Sequence, residues 1–189
     1  MTETIDAFRK ADAILSGHFL LSSGAHSDTY IQCAKVLERP DLASGLCATL
    51  AEHWKGKGIA CVAGPAYGGI LLAYELARAL RCRAIFFERE NNLFTLRRGF
   101  EILQGESVLI AEDVVTTGGS SKEVLDLVGA LGGKVAGVAS LVNRGQGNPF
   151  GVEFHSLLSL SPPLYRPENC PLCANNIPVV KPGSRKGRP

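Results

Sequence analysis

Residues 108–121, VLIAEDVVTTGGSS, constrain what this chain can fold into more than any other stretch. The run from Val108 to Ala111 is short and apolar, which is typical of a buried strand in a parallel sheet. An acidic pair, Glu112 and Asp113, follows, and a turn rich in hydroxyls and glycine then leads into KEVLDLVGAL, whose apolar residues have helical spacing. The stretch therefore predicts a strand, a ligand-binding loop and the first turn of a helix.

The turn after the acidic pair has the composition of an anion-binding site. Its hydroxyl groups and glycines belong to Thr116, Thr117, Gly118, Gly119, Ser120 and Ser121. Hydrogen bonds from backbone and hydroxyl donors to a phosphate contribute roughly 1.5–3 kcal/mol each, whereas the dipole of the following helix contributes roughly 0.3–1 kcal/mol. Direct donors therefore dominate, and we predict a phosphate at this turn.

The acidic pair needs a different partner, because two carboxylates repel a phosphate. Hydroxyls or a metal satisfy them, and a ligand with a phosphate at one end and a sugar diol nearby satisfies both halves of the loop. A ribose 5-phosphate is such a ligand. The alternative is that Asp113 caps a helix after an ordinary turn. An isolated TTGGS favours that alternative, whereas the complete stretch favours the ligand site.

A second glycine-rich turn, GPAYGG (64–69), follows the predicted strand 59–64 and precedes an apolar helix, ILLAYELARAL. Backbone N–H groups in such a turn point towards an anion. Alone this is a weak signal, but two such turns in one sheet fit a ligand with two phosphate ends. Because predicted strands alternate with helices up to the last two strands, we predict an α/β fold with helices on both faces of a parallel sheet.

Both ends of the chain depart from this pattern. Residues 3–15 predict a first helix, and residues 16–38 predict a small antiparallel hairpin, a hood over the main sheet. A proline-rich tail occupies residues 161–189. Its four cations, interpreted as solvated, are Lys181, Arg185, Lys186 and Arg188.

Cys170 and Cys173 of the tail form a CPLC pattern, which is compatible with half of a zinc site, a redox pair or a structural staple. A four-ligand zinc site within one subunit requires His155 or another distant residue, so a structural tail is favoured and a metal shared across a dimer is an alternative. The other four cysteines stand singly among apolar residues, which is typical of buried, reduced thiols.

Composition excludes several classes of protein. The 189 residues, of which 46% are hydrophobic, predict a single domain with a substantial core. The net charge of +2 argues against a dedicated nucleic-acid-binding protein. No apolar run approaches the roughly 20 residues of a membrane span, and MTETIDAFRK lacks the apolar core of a signal peptide. We predict a cytoplasmic protein with no membrane or nucleic-acid partner.

The motif VLIAEDVVTTGGS resembles the phosphoribosyl-diphosphate (PRPP) binding motif of the type I phosphoribosyltransferases. Among them the chain resembles the orotate phosphoribosyltransferases over almost its whole length, in GHFLLSSGAHSDTYIQCAKVLERP, GPAYGGI, EDVVTTGGS, LVNRG and CPLC…KPGSR. The resemblance implies a type I phosphoribosyltransferase fold, with a central, mostly parallel sheet flanked by helices, a small N-terminal hood and a proline-rich C-terminal tail.

The activity implied by the resemblance is that of a glycosyltransferase that transfers a pentosyl group. It joins the ribose 5-phosphate of PRPP to orotate, giving orotidine 5′-monophosphate and diphosphate in de novo pyrimidine (UMP) biosynthesis. Mg²⁺ is the implied cofactor, carried by the diphosphate without a direct side-chain ligand. A homodimer is also implied, with a lid segment (89–105) that closes on its own site or on its neighbour's. The alternatives are a PRPP-binding regulator without catalysis and a purine phosphoribosyltransferase.

The resemblance also implies roles for individual residues. Arg89, Glu112 and Asp113 are the implied catalytic residues. PRPP is expected on Glu112, Asp113, Val114, Val115, Thr116, Thr117, Gly118, Gly119, Ser120, Ala66, Tyr67, Gly68, Gly69 and Arg89. Orotate is expected on Thr116, Arg144, Tyr30 and Ile31, with Ser22 and His26 as further candidates. An arginine suits orotate because orotate carries a carboxylate.

The chain departs from the family pattern in its cations. Other members carry lysines in the glycine-rich turn and in the lid, but no lysine stands between Gly64 and Gly105 here. Arg89 is the first choice for contacting diphosphate, and Arg97 and Arg98 are the expected substitutes for the lysines.

Overall fold

The computed structural model describes residues 2–21 and 23–182. Its helices are α1 (Thr2–Lys10), α2 (Cys33–Leu37), α3 (Pro40–Trp54), α4 (Gly68–Leu80), α5 (Gly119–Ala130) and α6 (Pro171–Ala174). Its strands are β1 (Ile14–Leu20), β2 (His26–Ile31), β3 (Cys61–Pro65), β4 (Arg83–Glu90), β5 (Leu93–Leu96), β6 (Ser107–Val115), β7 (Lys134–Asn143) and β8 (Phe154–Ser159).

Six strands form the main sheet in the order β5-β4-β3-β6-β7-β8. All neighbours are parallel except β4 and β5, which form an antiparallel hairpin at one edge. The prediction of a central, mostly parallel sheet is therefore confirmed. Because β3 and β6 are neighbours, the turns that follow their carboxyl ends lie side by side, where open α/β sheets bind ligands.

Helices cover both faces of this sheet. Apolar residues of α3 and α4, among them Leu50, Trp54 and Leu72, are buried against one face. Val124 and Val128 of α5 are buried against the other. Within the described residues, no helix combines the length and the apolar character that crossing a membrane requires.

A separate two-stranded sheet, β1 paired antiparallel with β2, forms the hairpin predicted for the hood. The tail lies along it on two sides. Backbone hydrogen bonds join Leu20 N to Val180 O (2.9 Å) and Val180 N to His18 O (2.8 Å). His26 and Tyr165 exchange two further backbone bonds, each 2.8 Å long. The hood and the C-terminal segment are thus one hydrogen-bonded unit.

The bounds of several elements differ from the predictions. Helix α1 ends at Lys10, not residue 15, because Asp12 adopts a left-handed conformation (φ 49°) and β1 begins at Ile14. Residues 33–37 of the hood are helical. Strand β6 continues through the acidic pair to Val115, because β7 pairs with it as far as Asn143.

The predicted lid segment (89–105) is also more ordered than a surface loop. Its first part closes the β4–β5 hairpin, in which Glu88 pairs with Thr95 and Glu90 with Leu93. The Arg98 guanidinium donates two hydrogen bonds to the Glu88 carboxylate, at 2.7 and 2.8 Å. These contacts attach the lid segment to the edge of the sheet.

Candidate active site

A cleft of about 290 Å³ lies at the carboxyl end of β6 and the start of α5. The residues that line it are Arg89, Glu112, Val114, Val115, Thr116, Thr117, Gly118, Gly119, Ser120, Ser121 and Glu123. Most of the turn predicted to bind PRPP therefore faces one cavity.

The acidic pair straddles β6, because successive residues of a strand face opposite sides of the sheet. Glu112 faces α5, where the Ser121 hydroxyl donates a 3.0 Å hydrogen bond to its carboxylate. Asp113 faces α4: a Cβ added at Gly68 would lie 2.7 Å from both of its carboxylate oxygens. Burial raises the pKa of Asp113, although the Val114 N–H and the Glu112 side chain act in the opposite direction.

The N-terminus of α5 forms the floor of the cleft. Gly118 precedes the helix with φ 75°, and a Cβ there would lie 2.6 Å from the Phe150 ring, so only glycine fits. Glycine has no side chain to cap the helix. The first N–H groups of a helix have no partner within it, and here they belong to residues that line the cleft. The turn can therefore bind an anion.

The glycine-rich turn (64–69) is packed directly against β6. A Cβ added at Gly69 would lie 2.8 Å from the Ala111 carbonyl oxygen. The Ala66 N–H donates to the Phe87 carbonyl (2.8 Å), and the Ala66–Tyr67 peptide is cis. Tyr67 is 87% exposed. The two glycines let this turn approach Asp113 closely.

Arg89 lies at the rim of the cleft, on β4. Its guanidinium donates to both carboxylate oxygens of Glu123 (2.9 and 3.0 Å) and to the Asn92 carbonyl, and it stacks 4.0 Å above the Phe94 ring. Glu123, in the second turn of α5, was not predicted as a site residue.

The proposed lysine substitutes also have acidic partners. Arg97 lies 3.4 Å from Glu90, and Arg98 pairs with Glu88. Both arginine side chains are more than half exposed. Of the three lid arginines, Arg89 is the one that lines the cleft.

On the side of the hood, Arg144 follows β7, and its N–H donates to the Val115 carbonyl (2.8 Å). Its side-chain Nε is buried without a hydrogen-bond partner, and burial lowers the pKa of the guanidinium. Burial raises the pKa of Tyr30 in the hood, and the nearby Arg144 partly offsets that effect. The structure therefore brings together two of the residues expected at orotate.

Other candidates for orotate lie elsewhere. The Ile31 side chain is 3% exposed and packs in the core with α3 and α4, so only its backbone can face a ligand. Thr116 is exposed at the cleft. His26 lies beside His18 in the hood, and Ser22 lies outside the described residues, as do Arg185, Lys186 and Arg188 of the tail.

Comparison with known proteins identifies the family. The model of the phosphoribosyl transferase domain matches residues 41–151, which include both turns and the lid segment. The orotate phosphoribosyltransferase of Caldanaerobacter subterraneus subsp. tengcongensis is 55% identical over 185 residues, which cover 97% of each chain. This chain belongs to the orotate phosphoribosyltransferase family.

Solved structures of phosphoribosyltransferases have the same fold. The orotate phosphoribosyltransferase of Aeropyrum pernix is 28% identical, with a TM-score of 0.72 over 82% of this chain and 92% of that one. The adenine phosphoribosyltransferase of Thermoanaerobacter pseudethanolicus is 21% identical, with a TM-score of 0.62 over 70% of this chain and 88% of that one. At 21% identity, the second similarity shows only a shared fold. Because a protein named for adenine has this fold too, the fold alone does not determine which base is bound.

Two residues of this phosphoribosyltransferase site escaped sequence reasoning. Glu123 is paired with Arg89 through a contact that joins residues 34 apart in the sequence, and no local pattern signals it. Cys33 lies beneath the site, where its thiol donates to the Asp113 carbonyl (3.6 Å) and burial raises its pKa well above the usual value. Its position in the hood, two residues after β2, was the available signal.

Proposed function

We propose that this phosphoribosyltransferase transfers ribose 5-phosphate from PRPP to orotate. The N1–C1 bond forms as the bond between C1 and the diphosphate oxygen breaks, which gives orotidine 5′-monophosphate and diphosphate. The observation that carries the choice of acceptor is the Nε of Arg144, buried without a partner close to Tyr30. A buried donor of this kind suits a carboxylate, which orotate has and purine bases lack.

PRPP is proposed to bind across both turns. The first N–H groups of α5 and the hydroxyls of Thr116, Thr117 and Ser120 donate hydrogen bonds to the 5-phosphate. Glu112 and Asp113 accept hydrogen bonds from the ribose hydroxyls, and the glycine-rich turn with Arg89 binds the diphosphate. The cleft supports the part of this orientation that involves residues 114–121, Glu112 and Arg89, which line it. The place of the glycine-rich turn is supported by its packing against Asp113.

The chemistry asks mainly for positioning and charge stabilisation, because orotate N1 is already anionic and needs no general base. As the diphosphate leaves, positive charge develops on the ribose ring. The carboxylates proposed to stabilise that charge are those of Glu112, which lines the cleft, and Asp113, which lies against Gly68 on the other side of β6. Arg89 is the cation proposed for the leaving group, in place of the lysines of other members.

Mg²⁺ is the proposed cofactor, and the donors of the site fit a metal that arrives with the diphosphate. Oxygen ligands are those that Mg²⁺ prefers, and the diphosphate provides them, while residues 66–69 and Arg89 would hold the complex. When bound, the ion would neutralise charge on the leaving group. No direct side-chain ligand is proposed.

A homodimer is proposed from the surface of α4. Leu71 and Tyr74 are 53% and 64% exposed, and Tyr67 stands just before the helix. Their spacing of four and three residues places them on one face, which a second copy of the chain would cover. The lid segment (89–105) follows α4 and β4, so it could act on either site of such a dimer. The cytoplasmic location stays a prediction.

Mixing inactive subunits tests whether sites are shared. Arg89→Ala and Asp113→Ala chains are each expected to be inactive. If the lid segment closes on the neighbouring site, subunit exchange between them restores up to about a quarter to a half of the activity. No recovery in exchanged dimers, verified by differently tagged subunits, would show that each lid serves its own site.

The function is tested by following the loss of orotate absorbance after adding PRPP, with and without Mg²⁺. Parallel reactions contain adenine, hypoxanthine, xanthine or uracil. We expect turnover of orotate alone, and only with Mg²⁺. Consumption of a purine would instead identify a purine phosphoribosyltransferase, and PRPP binding without consumption of any base would identify a regulator.

A further inference from the structure

Four side chains with metal-binding atoms meet between the hood and the tail. They are His18, His26, Cys170 and Cys173, whose ligand atoms all lie within 4.8 Å of one another. His18, His26 and Cys170 are buried, with exposures of 3%, 8% and 3%, whereas Cys173 lies on the solvent side. The two histidines that complete a candidate four-ligand site with the CPLC cysteines are therefore those of the hood. His155 is not one of them, since it stacks on His53.

The distances between the cysteine sulfurs and the histidine nitrogens approach those of a tetrahedral metal site. The Cys173 sulfur lies 3.4 Å from His26 Nδ1 and 3.7 Å from His18 Nε2, and the Cys170 sulfur lies 3.6 Å from His18 Nε2. Zinc bonds of about 2.0–2.1 Å to nitrogen and 2.3 Å to sulfur place N and S ligands about 3.5 Å apart in a tetrahedron. The histidine nitrogens are 2.7 Å apart, and tetrahedral zinc would separate them to about 3.3 Å.

The orientation of His18 is set from outside the cluster. Its Nδ1 lies 2.7 Å from the Ile177 carbonyl oxygen, which can only accept a hydrogen bond. Nδ1 therefore carries the proton, and Nε2 presents its lone pair to the cluster. Histidine ligands of metals commonly have such a backbone partner, which fixes the tautomer.

We propose that these four residues bind one Zn²⁺, which fastens the C-terminal segment to the hood. Two thiolates and two neutral imidazoles form a four-coordinate site of the kind found in structural zinc modules. The two cysteine thiols release two protons, and the bound ion with its two thiolates has no net charge. Since β2 also carries Tyr30, the ion stabilises the element that covers the proposed orotate site. The site itself is independent of the proposed activity.

The test measures metal in the full-length chain, purified with a reductant and no added chelator. Elemental analysis should find about one zinc per chain. The chelator-treated, reduced protein should take up one Co²⁺ and develop the visible absorption of tetrahedral, thiolate-bound cobalt, which added Zn²⁺ then removes. Cys170→Ser and Cys173→Ser should each lower the zinc content at least fivefold.

Two variants are matched controls. Cys82→Ser removes a partly buried cysteine that is not in the cluster, and His155→Gln removes a histidine outside it, so both should keep the metal. If the cysteine variants do not fold, the cobalt titration of the unaltered chain still decides the question. A reduced chain that takes up neither Zn²⁺ nor Co²⁺, or a double Cys170→Ser, Cys173→Ser variant that retains full zinc, would overturn the proposal.

Discussion

In the proposed function, the choice of acceptor depends on the buried guanidinium of Arg144. A buried donor without a partner costs about 1–3 kcal/mol, and a ligand carboxylate would remove that cost on binding. The same argument explains why an adenine would be a poor ligand, since it offers no anionic group. In the proposed function, selectivity among bases therefore depends mainly on this one unsatisfied group.

Replacing Arg144 by alanine is expected to raise the KM for orotate about 10- to 100-fold, the equivalent of losing a charged hydrogen bond of roughly 1.5–3 kcal/mol. The KM for PRPP should change little. Steady-state kinetics with each substrate varied in turn measures both. Arg9→Gln, at an exposed arginine of α1, is the control and should behave as the unaltered enzyme. Equal effects on both substrates would contradict a role specific to orotate.

The raised pKa of Asp113 predicts a pH dependence. As the pH falls, Asp113 takes up its proton at a pH above the ordinary value of about 3.9. A protonated carboxyl is a poor acceptor of hydrogen bonds from the ribose hydroxyls. The value of kcat/KM for PRPP should therefore begin to fall, as the pH is lowered, at a pH above the ordinary pKa of an aspartate. A profile of kcat/KM from about pH 4 to about pH 9 locates this acidic limb.

Asp113→Asn separates this catalytic role from folding. The raised pKa means that the folded state loses stability as the pH rises and Asp113 ionises. Asparagine carries no charge, so the variant's melting temperature at neutral pH should equal or exceed that of the unaltered chain. Activity should nevertheless fall by at least about 100-fold. A variant that melts normally and retains activity would show that Asp113 does not hold the ribose.

At the scale of elements, the site exists because the ends of β3 and β6 are neighbours in the sheet. The helix that follows each strand begins with glycines, which allows the turns to pack closely. Asp113 and Gly68 come from different units of strand and helix, and their contact joins the two turns. Changes at this contact should therefore alter the KM for PRPP more than the KM for orotate.

Gly68→Ala tests the contact, because its Cβ would meet the Asp113 carboxylate at 2.7 Å. We expect the KM for PRPP to rise at least about fivefold, since overpacking costs roughly 1–3 kcal/mol. Gly129→Ala, in α5, is a matched control with open space around its Cβ, and it should stabilise the chain by up to about 1 kcal/mol. Kinetics and thermal unfolding of both variants give the comparison, and an unchanged KM in Gly68→Ala would count against close packing of the turns.

The pair of Arg89 and Glu123 connects the lid hairpin to α5. If Arg89 binds diphosphate as proposed, the diphosphate has to compete with Glu123 for the arginine. Glu123→Gln should lower the KM for PRPP about two- to fivefold, because a partly exposed ion pair contributes up to about 1 kcal/mol. Arg89→Ala should instead remove the activity, as in the subunit-mixing test. Glu52→Gln, at an exposed ion pair of α3, is the control. A higher KM in Glu123→Gln would mean that Glu123 positions Arg89 and does not compete for it.

On the scale of the whole molecule, residues from both ends of the chain form a single unit above the sheet. The backbone bonds of His18, His26 and Leu20 to the tail, together with the proposed zinc, hold that unit in place. The hood alone is a two-stranded hairpin, which is marginally stable in water. The tail therefore supplies much of the order on which the acceptor pocket depends.

Removing the metal tests this dependence. Chelation should increase hydrogen exchange of amides in β1, β2 and residues 165–180, and it should raise the KM for orotate, while amides of β6 and β7 stay protected. Cys82→Ser treated in the same way controls for the chelator and the thiols. Unchanged exchange in the hood after complete removal of zinc would show that the backbone bonds suffice.

Local patterns predicted much of this architecture. The alternation of apolar strands and helices, and the contiguous stretch 108–121, predicted the parallel sheet and the phosphate turn because neighbours in sequence decide these features. The family resemblance then added Arg89 and Arg144, which the structure places at the rim of the cleft and beside the hood. What local patterns missed were element bounds, such as the extension of β6, because pairing with β7 decides where that strand ends.

The sequence by itself determined most of the elements, their order and the hydroxyl- and glycine-rich composition of the turn after β6, since these depend on residues close together along the chain. Only the tertiary structure decided which distant residues meet. Cys170 approaches His18 across 152 positions, and Asp113 approaches Gly68 from another unit of strand and helix. Such contacts arise from the packing of whole elements, in which burial and backbone pairing outweigh local preference, so no window of sequence contains the information that specifies them.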